Sequence, residues 1–238
     1  SDITNLNVIA GSVAFGDVDN DGRLDLSMMG APTGNNGIYI NNGSSFYYNS
    51  TWSGGLVTTG RVSLTWVDIN NDNNLDLVVF GLQSSNVYIN NGTSLVENST
   101  WEQNMGALDR VSLAFGDIDN DGDLDFFTTS ETGACAIRFY VNDGTALLRN
   151  STWENNIGSV FWGGNAFGDY DNNGRLDLVY TGQCGGADIV RLFNNTATSF
   201  TRDTIAEATL SAKEQGSIVW GDIDNDNDLD LVTTGSSI

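Results

Sequence analysis

The sequence feature that most constrains this chain is Asp17-Val18-Asp19-Asn20-Asp21-Gly22-Arg23-Leu24-Asp25, because it returns four times, at 68–76, 117–125, 169–177 and 222–230. Oxygen-bearing side chains occupy positions 1, 3, 5 and 9 in every copy. The first loop offers Asp17, Asp19, Asp21 and Asp25, the second Asp68, Asn70, Asp72 and Asp76, the third Asp117, Asp119, Asp121 and Asp125. The fourth offers Asp169, Asp171, Asn173 and Asp177, the fifth Asp222, Asp224, Asp226 and Asp230. Alternate oxygens on a short loop wrap a hard cation, and position 7 adds a backbone carbonyl, here of Arg23, Asn74, Asp123, Arg175 and Asp228. Position 6 is Gly or Asn throughout, the residues that most readily take a positive φ, so a sharp bend is expected there. Without an ion, carboxylates this crowded repel one another. The pattern reads as up to five Ca²⁺ loops, with the second and fourth weakened by their amides. The missing Glu at position 12 and the lack of flanking helix patterns separate these loops from EF-hands.

The first aspartates fall at 17, 68, 117, 169 and 222, at intervals of 51, 49, 52 and 53. Repeats accordingly run 1–51, 52–100, 101–152 and 153–205, with a partial fifth at 206–238. A period near 50 residues, dense in short strands, is the mark of propeller blades. Each repeat reads as four strands, in the first repeat Ser12–Gly16 (a), Leu24–Met29 (b), Gly37–Ile40 (c) and Ser45–Asn49 (d). The turns Asn41-Asn42-Gly43, Asn90-Asn91-Gly92 and Asn142-Asp143-Gly144 suit tight c–d hairpins. The expected class is therefore all-β, a single domain of four-stranded antiparallel blades at 1–238. In such a meander the a–b loops and c–d turns share one face. The variable b–c segments, Gly30–Asn36, Gly81–Ser85, Thr128–Ala136 and Thr181–Ala187, lie opposite with Glu131, Gln183 and Asp188, and are expected to carry ligand specificity. Trp52, Trp101 and Trp153 read as wedges between blades, with a ligand platform as the alternative. Trp66, Trp162 and Trp220 read as core.

Charge narrows the function. The net charge is -22, and 20 of the 31 acidic residues lie in the five loops, where a metal would offset them. Nine scattered Lys and Arg argue against nucleic acid. No apolar run approaches the ~20 residues of a bilayer span, which argues against membrane insertion. The chain has no His, the commonest general base. With its clustered carboxylates already committed to metal, it is not expected to be an enzyme. Cys135 and Cys184 sit at corresponding places of adjacent repeats, and the alternatives are a disulfide or two small buried thiols. Six sequons, at Asn42, Asn49, Asn91, Asn98, Asn150 and Asn194, favour an extracellular or cell-surface glycoprotein. Three of them recur as Asn-Ser-Thr-Trp.

Phe15-Gly16, the loop, and then Gly30-Ala31-Pro32 resemble the FG-GAP repeat, the blade of the integrin α-subunit head propeller and of related microbial and lectin proteins. The Phe-Gly half recurs at Phe115-Gly116 and Phe167-Gly168, whereas Gly-Ala-Pro occurs once. The resemblance implies a propeller, commonly of seven blades, with Ca²⁺ in the a–b loops and extracellular binding of proteins or sugars. Four and a half repeats then imply a piece of a longer protein, or a ring completed by another chain. The function expected is a Ca²⁺-rigidified adhesion or binding module recognising a protein or glycan. A lectin with repeated sugar pockets and an architectural module of a surface assembly are the alternatives.

Overall fold

The computed structural model describes residues 9–31, 35–57, 60–131, 135–155, 157–213 and 215–236. The chain is all-β, with four four-stranded antiparallel sheets and one of two strands. The first sheet is β1 (Ile9–Gly16), β2 (Asp25–Ala31), β3 (Gly37–Asn41) and β4 (Phe46–Tyr48), and the second β5 (Ser63–Val67), β6 (Asp76–Phe80), β7 (Ser85–Asn90) and β8 (Leu95–Glu97). The third is β9 (Asp109–Gly116), β10 (Asp125–Glu131), β11 (Cys135–Asn142) and β12 (Leu147–Arg149). The fourth is β13 (Asn165–Gly168), β14 (Asp177–Cys184), β15 (Ala187–Asn195) and β16 (Phe200–Arg202), followed by the pair β17 (Ile218–Gly221) and β18 (Asp230–Thr233). Strands are hydrogen-bonded in chain order within each sheet, the meander that the turn chemistry predicts. The chain groups into two compact units, one up to Arg110 with Gly144–Leu147, the other Val111–Asp143 with the chain from Leu148 onward.

Within each unit, the core fills the seam between neighbouring sheets. In the first, Met29 and Ile38 of one sheet meet Leu77, Val79 and Tyr88 of the next, with Trp52 between them. In the second, Phe127 and Phe139 meet Leu178, Tyr180 and Phe193 around Trp153. Trp52, Trp101 and Trp153 are all but buried, so their rings pack and offer no platform to a ligand. The Phe-Gly pairs have a steric reason in the same seams. A methyl group on Gly16 would stand 2.8 Å from the Trp66 ring of the next sheet, and one on Gly168 would stand 2.6 Å from Trp220. The glycine is the floor on which the following repeat's aromatic ring sits. Trp162 departs from the core expectation. It is half-buried beside Phe161 at the other end of its repeat, with a left-handed backbone.

Two local features differ from expectation. The b–c segments of the third and fourth sheets are mostly strand. Glu131 pairs with Cys135, and Cys184 pairs with Ala187 across a Gly185-Gly186 turn at φ 65 and 81. Two consecutive left-handed glycines make the tight turn that continues a hairpin ladder, so pairing runs to its tip. Residues 32–34 and 132–134, parts of the predicted variable loops, lie outside the described residues. One-turn helices also follow each strand d: α1 (Ser50–Ser53), α2 (Ser99–Glu102), α3 (Ser151–Glu154) and α4 (Thr204–Glu207). Among the described residues, no helix is long and apolar enough to cross a membrane.

These helical turns explain the recurring Asn-Ser-Thr-Trp. Asn49, Asn98 and Asn150 are N-caps whose side-chain oxygens accept from the backbone N–H groups of Thr51, Thr100 and Thr152. In the fourth repeat Asp203 caps the same turn and no sequon is present. What repeats is the cap, which satisfies an otherwise orphaned donor and sets the tryptophan's entry into the seam. Asn98→Asp is therefore expected to leave the unfolding midpoint within a degree or two while removing the glycan acceptor, whereas Asn98→Ala costs about 1 kcal/mol. Thermal unfolding of the two variants checks this.

Candidate metal centres

Each nine-residue loop is a hairpin connection closed by a strand pair, Gly16 opposite Asp25, Val67 opposite Asp76, Gly168 opposite Asp177 and Gly221 opposite Asp230. Position 1 folds the loop onto itself. Asp17 accepts from the N–H groups of Asp21 and Gly22 at 3.0 and 2.9 Å, and Asp68, Asp117, Asp169 and Asp222 do the same in their loops. Position 6 takes a positive φ in every loop, as its residue types predict. Position 4, always Asn, does so as well: Asn20, Asn71, Asn120, Asn172 and Asn225 have φ between 56 and 62. Two left-handed residues separated by one turn the chain tightly enough to bring positions 1, 3 and 9 together.

Four acidic trios result: Asp17, Asp19 and Asp25; Asp117, Asp119 and Asp125; Asp169, Asp171 and Asp177; and Asp222, Asp224 and Asp230. In each, carboxylate oxygens lie within 4.8 Å of one another. Position 5 stands outside the trios, because its side chain closes a local turn. Asp21, Asp121, Asn173 and Asp226 each accept from the N–H of position 7, at 2.9–3.0 Å. Asp21 also pairs with the Arg23 guanidinium. The second loop has no trio. Its position 3 is Asn70 rather than an acid, and Asn70 and Asn74 donate to the position-5 Asp72 at 3.2 and 3.0 Å.

Position 9 anchors the loop to the sheet. Asp25, Asp76, Asp125 and Asp177 are fully buried. Each accepts from the backbone N–H of loop position 2 and of the first residue of the c–d turn, which is Asn41, Asn90, Asn142 or Asn195. Burial is the main cause pushing these carboxyls up, and the two N–H donors oppose it. Asp25 is raised, Asp76 and Asp177 reach about 6, and Asp125 about 7. Asp19 and Asp119 are raised too, by burial first and then by the neighbouring aspartates. An all-oxygen donor set, gathered to ion-sized spacing with a buried acid at its base, is what a hard divalent cation satisfies. The residues present fit such an ion in the first, third and fourth loops, and the fifth gathers the same trio around a half-buried Asp230.

Sequence reasoning missed the turn asparagines. Asn41, Asn90 and Asn142 read as hairpin formers, and Asn195 holds the same place in the fourth repeat; the side-chain amides of all four donate to the carbonyl of loop position 8. Asn90 and Asn195 also reach back to the preceding repeat, donating to the carbonyls of Val18 and Ile118 at 2.9 and 2.8 Å. Their recurrence 14 to 18 residues beyond position 9 was the available signal. Among the sequons, Asn42 and Asn91 are exposed at turn tips, while Asn194 is half-buried and accepts from the Tyr170 hydroxyl. Cys135 and Cys184 form a disulfide between the b–c ends of the third and fourth sheets.

A repeating four-stranded sheet whose a–b hairpin is a nine-residue acidic loop defines a class of repeat protein. The model of the FG-GAP-like repeat matches residues 17–79, 117–180 and 169–233, and the chain belongs to that family. Among solved structures it is similar in fold to a lectin of Agrocybe aegerita, in a structure described as showing specific recognition of non-reducing terminal N-acetylglucosamine. The TM-score is 0.56 at 17% identity, over 94% of this chain and 60% of that one. It also resembles part of the Tc holotoxin pore of Photorhabdus luminescens, with TM-score 0.50 and 17% identity over 93% of this chain and 10% of that one. The chain thus spans less than two thirds of either structure. No curated protein matches it.

Proposed function

We propose that this chain is a Ca²⁺-clamped β-propeller module, acting outside the cell or on its surface, that binds a protein or glycan without catalysing a reaction. The observation that carries this reading is the acidic trio recurring at the same three loop positions in four repeats. Ca²⁺ suits it better than Mg²⁺, since carboxylates on a turning loop meet the longer, less strictly octahedral bonds of the larger ion. Four ions are the proposed complement. The second loop, which has the amide of Asn70 where the others have a position-3 carboxylate, is the one left out. The ions would stiffen the a–b hairpins and so preorganise each blade, lowering the entropy lost when the b–c ends meet a ligand. The disulfide and the family support an extracellular setting.

Within this class, a glycan is the ligand that the Agrocybe aegerita lectin favours. The buried Trp52, Trp101 and Trp153 cannot stack on it, so recognition falls to the b–c ends, where Glu131, Gln183 and Asp188 stand. Calcium titration calorimetry is expected to count four ions. A glycan array read with calcium and with chelator is expected to show binding only with calcium. Zero ions would remove the metal reading; four ions with an empty array would leave a protein ligand.

A further inference from the structure

Hydrogen bonds join the first metal loop to the second, the third to the fourth and the fourth to the fifth. Asp125, at position 9 of the third loop, accepts from the N–H of Ile118 at 2.9 Å. The Ile118 carbonyl accepts from the Asn195 side chain at 2.8 Å, and the Asn195 N–H donates to Asp177, at position 9 of the fourth loop, at 2.8 Å. Two buried carboxylates of adjacent loops are thus connected through one almost fully buried asparagine. The first and second loops have the same connection, from Asp25 through Val18 and Asn90 to Asp76. A second set of links runs along the exposed side, from the left-handed asparagine at position 4. Asn20 donates to the Asn74 side chain at 2.8 Å, Asn120 to the Gly174 carbonyl at 3.2 Å, and Asn172 to the Asp228 side chain at 2.7 Å. Each donor lies mid-loop, and each acceptor lies at position 6 or 7 of the following loop.

Resting on the cation reading above, we infer that the third, fourth and fifth loops load their ions cooperatively, while the first loads independently. A loop without its ion is pushed open by its own carboxylates. Opening displaces the position-4 asparagine and breaks the link that shapes the next loop. Filling one loop therefore prepares its neighbour, which is a coupling free energy between two sites. The third, fourth and fifth loops form an unbroken run of trios within one compact unit. The first loop is linked forward to the second, which has Asn70 in place of the position-3 carboxylate and, on the reading above, no ion with which to couple.

The test is a calcium binding isotherm of the whole chain, followed by calorimetry, beside two variants. Asn172→Gly removes the amide joining the fourth loop to the fifth while keeping a residue at ease with positive φ. Asn20→Gly makes the same change where no coupling is expected. In the native chain three ions should load with a Hill coefficient above about 1.5, and a fourth should load separately. In Asn172→Gly the count stays at four, but one ion leaves the cooperative group and binds about two- to tenfold more weakly, the worth of one hydrogen bond. Asn20→Gly should leave the cooperative group unchanged. Four ions binding independently in the native chain would overturn the inference and leave the cation reading standing; no binding would overturn both. Equal loss of slope in the two variants would also overturn it. Should Asn172→Gly not fold, the native slope alone decides.

Discussion

Stripping divalent cations at neutral pH lowers the unfolding midpoint by 20 °C or more, and acidification then moves the two forms in opposite directions. A ligand held at a hundred times its Kd stabilises the fold by about 2.7 kcal/mol per site. Four filled trios thus contribute on the order of 10 kcal/mol, and in a chain of this size each kcal/mol moves the midpoint by about 2–4 °C. The pH dependence follows from the buried position-9 acids. In the ion-free fold Asp125 titrates near 7, and Asp76 and Asp177 near 6, against about 3.9 in the unfolded chain. Between those values the folded state binds more protons, so the chelated protein gains stability as pH falls from 8 toward 5. A bound ion keeps the trio carboxylates of its loop ionised in the fold. The unfolded chain then takes up protons first, and the calcium form loses stability as pH falls. Melting curves from pH 5 to 8, with calcium and with chelator, should converge on the acid side. Parallel curves, or a midpoint indifferent to chelation, would remove the metal from the account.

Much of this architecture is legible in the sequence because metal ligation writes its geometry into spacing. Asp17, Asp19 and Asp25 reach one point only at fixed intervals along a loop, so a linear pattern reports a three-dimensional cluster. Strands b and c were legible for a similar reason, since covered strands read as apolar runs between turn residues. What stayed hidden was whatever one set of letters says twice. Asn-Ser-Thr-Trp spells both a glycan acceptor and a helix cap with its buried ring, and only Asp203 in the fourth repeat, which keeps the cap and loses the acceptor, separates them. Asn195 stands in an ordinary Asn-Asn-Thr stretch, and nothing in its neighbours says that its amide is spent 77 residues away on Ile118. The left-handed position 4 was obscured because asparagine is common in any acidic loop. The retreat of position 5 from the trio is likewise invisible in spacing, because an aspartate two residues before an N–H serves a turn as readily as a metal.

Removing the Cys135–Cys184 bridge is the second large effect expected, and it differs in kind from metal loss. The bridge closes a segment with a sequence separation of 49 residues between the b–c ends of adjacent sheets. In the chain-entropy account a loop of that length is worth about 4 kcal/mol, all of it through restriction of the unfolded chain. Cys135→Ser with Cys184→Ser should therefore lower the unfolding midpoint by roughly 8–16 °C. The metal loops are attached to other strand ends and keep their own hydrogen bonds, so calcium binding near neutral pH should change less than twofold. Ligand binding should suffer more, because the bridge fixes the spacing of two hairpin tips that stand beside Glu131 and Asp188. Freeing them adds ordering cost to every binding event. The decisive measurement is the pair of ratios in one double variant, ion affinity against ligand affinity, each relative to the bridged protein. A loss confined to ligand affinity places recognition at the b–c ends. Equal losses would mean that the bridge serves the fold as a whole, and recognition would have to be sought on another surface.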